Sequence, residues 1–447
     1  MNCCMIGVDL GVTSKHVACV SNGEGKPSKK TVSFSLTQEE LDRLCAKAKE
    51  EAGGESVHFI CEATAMSWFP LALYAHKEGY SIGKVKSQSM SSLRRFSQRY
   101  RKSDSLDART LVRVPLIDAE SVREIQLADA ETFALKRACR QTDKFIRGCT
   151  QIKHRILSFC SWVMPEVKES FDDPFSETAR SFYWHFTDPF KAKRAGIEGM
   201  RRKLEKEAGK KIEDSVLQEI YQKVLVNCEF FQDTEEYLSF EYLTEEMRLN
   251  LESLKAMEKL KDKAAKRVKS LYKKVHSEGI VESLPGVGER IGPALLGEIE
   301  NVSRFSSQSN YRSFIGIVPK QDDSGQTVKK GLRMTHEGSS RLRYLYYQAS
   351  NTARQWDPQL AKIYYEGMVN KGKSHQRALI PVMAALANRT LAILRKGQPY
   401  EFRDTEGHAI SKKEARYLIK SYYTVPKEIR KRTTRKREER GEAFLQI

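Results

Sequence analysis

Two apolar runs near the start of the chain each stop on an acid. Met5-Ile6-Gly7-Val8-Asp9-Leu10-Gly11 ends at Asp9 beside a glycine able to turn, and Val57-His58-Phe59-Ile60-Cys61-Glu62-Ala63-Thr64 ends at Glu62. Short runs bounded by turn residues and rich in β-branched and aromatic side chains read as strands. An acid that closes such a strand emerges where a sheet opens, so two neighbouring strands would bring Asp9 and Glu62 together. The surrounding residues 1–128 alternate β-rich runs with helical patterns, with strands expected near 4–9, 16–21, 31–36, 57–62 and 81–86 and helices near 38–51 and 67–79.

Three strands in succession, then strand–helix alternation, is the order of an RNase H-like α/β sheet rather than of a regular doubly wound one. Two more acids follow, in Lys102-Ser103-Asp104-Ser105-Leu106-Asp107-Ala108-Arg109. Their spacing puts both carboxylates on one face of a helix that starts here, with Ser103 as its N-cap. Clustered carboxylates repel unless they share a hard cation such as Mg²⁺, which prefers oxygen ligands. Two such ions can flank a phosphodiester during strand cleavage. The plainer reading makes Asp9 a turn residue, Glu62 a cap, and Asp104 and Asp107 ordinary residues of a helix N-terminus.

The 447 residues suffice for two or three domains, and lysine plus arginine exceed aspartate plus glutamate by 77 to 58, a net +19. That excess attracts a polyanion, with double-stranded DNA or RNA the obvious candidate. From Lys84 to Lys102 the chain holds seven basic residues, among them Arg94, Arg95, Arg99, Arg101 and Lys102, with no acid until Asp104. The run would hold phosphates or form a solvated helix face. No apolar stretch approaches the roughly 20 residues of a bilayer span, and the start lacks a signal peptide, so a cytoplasmic protein without a membrane partner is expected. The nine cysteines show no Cys-x-x-Cys spacing and are expected to be reduced and packed. The nine histidines form no ligand pair.

Beyond residue 130 the pattern becomes heptad. Leu135, Ala138, Thr142, Phe145, Cys149, Ile152, Ile156, Phe159 and Val163 form one coiled-coil stripe, and Leu243, Met247, Asn250, Leu254, Met257, Lys261, Ala264, Val268, Leu271 and Val275 a second. Between them, residues 165–240 read as an inserted helical segment. Leu284-Pro285-Gly286-Val287-Gly288 resembles a helix-hairpin-helix turn, in which Gly286 and Gly288 would let backbone N–H groups meet a phosphate. Helical patterns then run from 289 to 396, broken by a loop at 318–326, and the end of the chain is basic: after residue 411 there are twelve basic and five acidic residues. A flexible polyanion-binding tail is expected there. The whole is an α+β multidomain chain: 1–128 an RNase H-like α/β domain, 129–278 a coiled-coil region with the insertion, 279–400 an all-helical domain, and 401–447 a basic tail.

Several of these strings resemble the insertion-sequence-110 transposases, the DEDD transposases, whose relatives include pilin-gene invertases. The strings are Gly7-Val8-Asp9, Cys61-Glu62-Ala63-Thr64 and Lys102-Ser103-Asp104-Ser105-Leu106-Asp107-Ala108 at one end. At the other they are Leu284-Pro285-Gly286-Val287-Gly288, Arg304-Phe305, Phe314-Ile315-Gly316-Ile317-Val318-Pro319, Ser324-Gly325 and Gly338-Ser339-Ser340-Arg341-Leu342-Arg343. The resemblance implies a RuvC-like domain whose Asp9, Glu62, Asp104 and Asp107 bind Mg²⁺ or Mn²⁺. It implies a helical transposase domain with Ser324 as the nucleophile, and an oligomer, dimer or tetramer, guided by a structured non-coding bridge RNA. Arg341 and Arg343 join the expected nucleic-acid contacts. The chain departs from the family at His336-Glu337 and Ser339, where a basic residue and an asparagine flank the glycine in many members, and it is longer, chiefly in 165–240.

On this reading Ser324 attacks DNA to form a covalent protein–DNA phosphoester that conserves bond energy for rejoining. A RuvC-type nuclease that cuts branched DNA with water keeps the tetrad and drops the serine, and a site-specific invertase of the same superfamily is a close variant. Arg341, Arg343, Tyr344, Tyr346 and Tyr347 would suit a tyrosine recombinase or simply a packed helix. An actin-like ATPase would need a second α/β domain, and a non-catalytic nucleic-acid-binding protein would need only the charge.

Overall fold

The computed structural model describes residues 3–430 except 23, 63, 98–102, 277, 320–322, 325–326, 329–333 and 336. The chain divides into two compact units, Met1–Ala128 and Asp129–Ile447.

In the first unit β1 (Cys3–Asp9), β2 (His16–Ser21) and β3 (Pro27–Phe34) form an antiparallel meander. Helix α1 (Gln38–Ala52) follows, begun by the Thr37 side chain accepting from the Glu40 N–H and ended at Gly53 in the left-handed region. β4 (Ser56–Glu62), α2 (Trp68–Lys77) and β5 (Ser81–Val85) add two strands parallel to β1. Two helices come next, α3 (Ser87–Ser97) and α4 (Asp104–Ile117), and β6 (Val122–Glu124) closes the edge antiparallel to β5. The sheet order is β3-β2-β1-β4-β5-β6. The five expected strands and two expected helices are all present; β6, only three residues long, is too short for periodicity to reveal.

Alternation along the strands sorts the two faces. Ile6, Val8, Phe59 and Cys61 point to the side covered by Leu41, Leu44, Leu71 and Ala75 of α1 and α2. Each fully buried Ile, Val, Leu or Phe among them contributes about 1.5–3 kcal/mol. Gly7 and Ile60 face the other way, toward α4.

The second unit is helical. α5 (Ala130–Val163) leads into α6 (Glu177–Phe186), α7 (Pro189–Ala208) and α8 (Asp214–Phe230), and α9 (Phe240–Val275) returns alongside α5. The two long helices are antiparallel partners within one chain, as Leu135 shares a core with Tyr272, Gly148 lies against Met257, and Arg155 reaches Asn250. The heptad stripes are the buried or half-buried positions of both helices. Residues 165–240 form the helices α6 to α8, whose Phe182, Tyr183, Met200, Leu217 and Ile220 share a core with Ile156 and Met247.

The rest of the unit comprises α10 (Ile291–Ile299), α11 (Gln308–Ile315), a small hairpin of β7 (Asp323–Ser324) and β8 (Thr327–Val328), α12 (Ser340–Ala353), α13 (Pro358–Tyr365), α14 (His375–Lys396) and α15 (Lys412–Tyr422). Within the stretch expected as a flexible tail, residues 412–422 are helical, opened by a capping box between Ser411 and Glu414, and Val425 is buried. α14 alone among the described helices is long and apolar enough to cross a membrane by length and composition, a property that inspection of apolar runs misses because Asn388 and Arg389 interrupt it. Its Leu379, Val382, Leu386 and Leu391 are buried in the helical core. The eight cysteines with described side chains are free and buried, and burial pushes the Cys61 thiol up to about 12.

Candidate active site

β1 and β4 lie side by side with Val8 opposite Cys61, and the next residue on each strand is an acid, Asp9 and Glu62. Since side chains alternate, Asp9 shares the face of Gly7 and Glu62 the face of Ile60. That is the face α4 covers. A Cβ at Gly7 would stand 2.3 Å from the Ala108 carbonyl oxygen and 2.9 Å from the Leu111 Cβ, and Ile60 packs with Leu111 and Val114. Only glycine admits the helix this close.

Contacts with β3 give the direction of α4. Ser105 Oγ lies 2.8 Å from Thr31 Oγ1, and the Arg109 guanidinium, one turn later, donates to the Lys29 carbonyl, two residues earlier on β3. β3 is parallel to β1 because both are antiparallel to β2. The helix therefore starts over the ends of β1 and β4 and runs back toward their beginnings. Asp107, one turn before Leu111, shares its side of the helix and is 5% exposed. Asp104 opens the first turn and is exposed, and Ser103 caps it by accepting from the Leu106 N–H at 3.3 Å. All four acids thus belong to one end and one face of the sheet, the last two also at the positive end of the α4 dipole. Among the described residues no three His, Cys, Asp or Glu side chains close on a common point.

Of the basic run before α4, Arg95 is exposed on α3. Arg94 belongs to the same helix with its side chain outside the described residues, as are Arg99, Arg101 and Lys102 entirely.

In the second unit Ser324 sits on β7 opposite Thr327 of β8. The base of this hairpin is closed by pairing of Pro319 with Met334 and by the Thr335 N–H donating to the Val318 carbonyl at 3.0 Å. Gly338 and Gly316 meet backbone to backbone, where a Cβ on Gly338 would lie 2.3 Å from the Gly316 nitrogen. Ser339, the rival nucleophile, is the N-cap of α12: its Oγ accepts from the Leu342 N–H at 3.2 Å. Ser340 is exposed in the first turn.

The other residues expected at nucleic acid are placed as follows. Gly286 adopts φ +78°, and a Cβ there would come 2.2 Å from the Ala349 carbonyl oxygen, so its turn is seated on α12; Gly288 is exposed, with open space around it. Arg341 pairs with Asp143 at 2.8 Å and with buried Glu298 at 3.4 Å. Arg343 donates from Nη1 to the Ile315 and Gly338 carbonyls at 3.0 and 3.1 Å. Tyr346 is fully buried, its hydroxyl 2.7 Å from that of Tyr311, and burial pushes its pKa up to about 12. A phenol held this way is no nucleophile.

The matches to known families and proteins make the chain a DNA transposase or recombinase, a class that a sheet with acids at adjoining strand ends and a strongly basic composition fit. The chain belongs to the IS110 family of transposases. Residues 6–165 match the profile of the IS110-type DEDD transposases and residues 278–366 that of the IS116/IS110/IS902 transposase family, together more than half of the chain. The 43.6 kDa protein of insertion element IS110 from Streptomyces coelicolor is 22% identical over 416 residues, covering 90% of this chain and 96% of that protein. The pilin gene-inverting protein of Moraxella bovis is 27% identical over 129 residues, 29% of this chain and 40% of its own length. The IS116 protein of Streptomyces clavuligerus is 26% identical over 137 residues, 31% of this chain and 33% of its own.

Proposed function

We propose that this transposase cuts and rejoins DNA strands with a metal-binding tetrad, Asp9, Glu62, Asp104 and Asp107, and with Ser324 as nucleophile, acting as a cytoplasmic oligomer directed by a structured bridge RNA. The observation that carries the reading is the placement of Asp9 and Glu62 at the adjoining ends of β1 and β4, on the face that α4 covers and on which Asp107 is buried. A strand order of β3-β2-β1-β4-β5 with acids ending two adjacent central strands supports a RuvC-like first unit. An all-carboxylate donor set suits a hard ion, Mg²⁺ or Mn²⁺. Bound there, the ion would supply Lewis-acid stabilisation of the charge that develops on the scissile phosphate.

Ser324 Oγ attacks the phosphorus, one Oγ–P bond forms, and one deoxyribose oxygen leaves carrying the proton the hydroxyl gives up. The phosphoester count is unchanged, so rejoining is the same exchange reversed. Ser324 is favoured over Ser339, whose hydroxyl is spent on the α12 cap, and over Tyr346, which is buried. The net charge of +19 supports a polyanionic partner, and the bridge RNA and the oligomer rest on family resemblance. The ATPase alternative lacks its second α/β domain among the described residues, where the only other sheet is β7–β8.

The test is a denaturing gel of full-length protein incubated with Mg²⁺ and DNA spanning the ends of its own element. A protein–DNA adduct lost in Ser324→Ala and kept in Ser339→Ala supports the proposal. An adduct undiminished in Ser324→Ala refutes the nucleophile.

A further inference from the structure

A groove of about 1260 Å³ runs between α11, α12 and the start of α14, and Pro319 and Met334, which close the base of the Ser324 hairpin, form part of its rim. Its volume exceeds the roughly 300–1,000 Å³ of small-ligand pockets. The described lining carries four cations, Arg312, Arg343, Lys373 and Arg377, and no acid. Surface cations are ordinarily interspersed with carboxylates, and here the opposite sign is missing among the described lining residues.

The cations differ in how they are held. Arg343 is fixed on the wall by its two carbonyl acceptors. Arg312 Nε is buried without a hydrogen-bond partner among the described residues. Lys373 and Arg377 are exposed at the mouth, where α14 begins with no side-chain cap and no acid in its first turn. A positive helix end therefore adds to their field. The same lining holds two aromatic rings, Tyr344, 51% exposed, and half-buried Tyr347. Cations and an accessible ring in one groove suit phosphates with unpaired bases, because a ring can stack only on a base that has left its duplex.

We infer that this groove holds a short single-stranded DNA segment, its phosphates on Arg312, Arg343, Lys373 and Arg377 and a base on Tyr344. The inference deepens the proposed function, since it makes the occupant the strand delivered to Ser324. Its test is independent of that serine, because binding is measured without chemistry, in full-length Ser324→Ala protein.

The probe is a fluorescein-labelled oligothymidylate titrated by anisotropy over a range of salt. Removing two phosphate contacts with Lys373→Ala/Arg377→Ala should flatten the log–log salt dependence by about 1.4, at about 0.7 per contact on a single strand. The exposed pair Lys203→Ala/Lys206→Ala, on α7, should leave it unchanged. Tyr344→Leu should weaken binding roughly tenfold without changing the slope. Irradiation of an oligomer carrying 5-iododeoxyuridine should crosslink the peptide that contains Tyr344. An unchanged slope in the groove double variant, an equal change in the α7 pair, a loss seen only with oligouridylate, or crosslinks exclusively elsewhere overturns the inference. Failure of these tests leaves the Ser324 adduct experiment intact, and failure of that experiment leaves these.

Discussion

Gly7 of β1 and Ala108 of α4 meet so closely that a single methyl group at Gly7 would lie 2.3 Å from the Ala108 carbonyl oxygen. The opposing atom is backbone and cannot rotate away, so the helix itself would have to lift. Gly7→Ala should cost about 1–3 kcal/mol of stability as an overpacked contact. It should also displace Asp104 and Asp107 from Asp9 and Glu62, reducing strand transfer by more than the stability loss explains. Urea unfolding midpoints and recombination rates on the same preparations check this.

Loss of any one tetrad carboxylate should remove activity while the fold stays. Asp9→Asn and Asp107→Asn keep shape and remove charge, and each is expected to lower adduct formation by at least about a hundredfold, comparable to removing one electrostatic contact to a transition state. Chelation by EDTA should abolish adduct formation in the unaltered protein, with Mg²⁺ or Mn²⁺ restoring it and Ca²⁺ doing so poorly because of its looser geometry. Circular dichroism of each variant separates this from misfolding.

Ser339→Ala tests the division of labour between neighbouring serines. The loss of an N-cap costs about 1 kcal/mol. The expected outcome is a modest fall in melting temperature with the covalent adduct retained, readable on one thermal scan and one denaturing gel.

Glu298 makes stability depend on pH. Burial raises its pKa, and the hydrogen bond and charge of Arg140, with Lys136 and Arg341, outweigh that, leaving it below the ordinary 4.5. A carboxylate held below its unfolded value contributes stability that is full above the unfolded pKa and lost as pH falls through the folded one. Denaturant midpoints should therefore decline below pH 4.5. Glu298→Gln leaves the half-exposed Arg140 without its carboxylate partner while Arg341 keeps Asp143, and should cost about 1–3 kcal/mol near neutral pH. The variant should lack that part of the acid-dependent decline.

Tyr346→Phe removes one hydroxyl from the buried pair with Tyr311 and is expected to cost about 1 kcal/mol. Adduct formation should persist, and its loss with the fold intact would revive a tyrosine nucleophile.

Strand and helix identity through residue 128 was legible because it resides in consecutive residues. Apolar, β-rich runs closed by an acid mark β1 and β4, Ser103 followed by acids marks the start of α4, and the heptads mark α5 and α9. The same local logic located Asp9 and Glu62 at strand ends and put Asp104 and Asp107 on one helical face. β6 escaped because three residues carry no period, and α15 because its basic composition resembles that of a solvated tail.

Which residues become neighbours was decided by the fold. The heptad stripes specify a helical partner without naming it, and packing made each long helix the partner of the other in the same chain. Arg341 looked like a phosphate ligand and is paired with Asp143 and Glu298, while Arg312, Lys373 and Arg377, unremarkable in the linear chain, line one groove. The course of α4 across β1 depends on a methyl group missing at Gly7 opposite a helix about a hundred residues away. Propensity and capping act over a few successive residues, whereas close approach and ion pairing act through space between segments the chain keeps far apart.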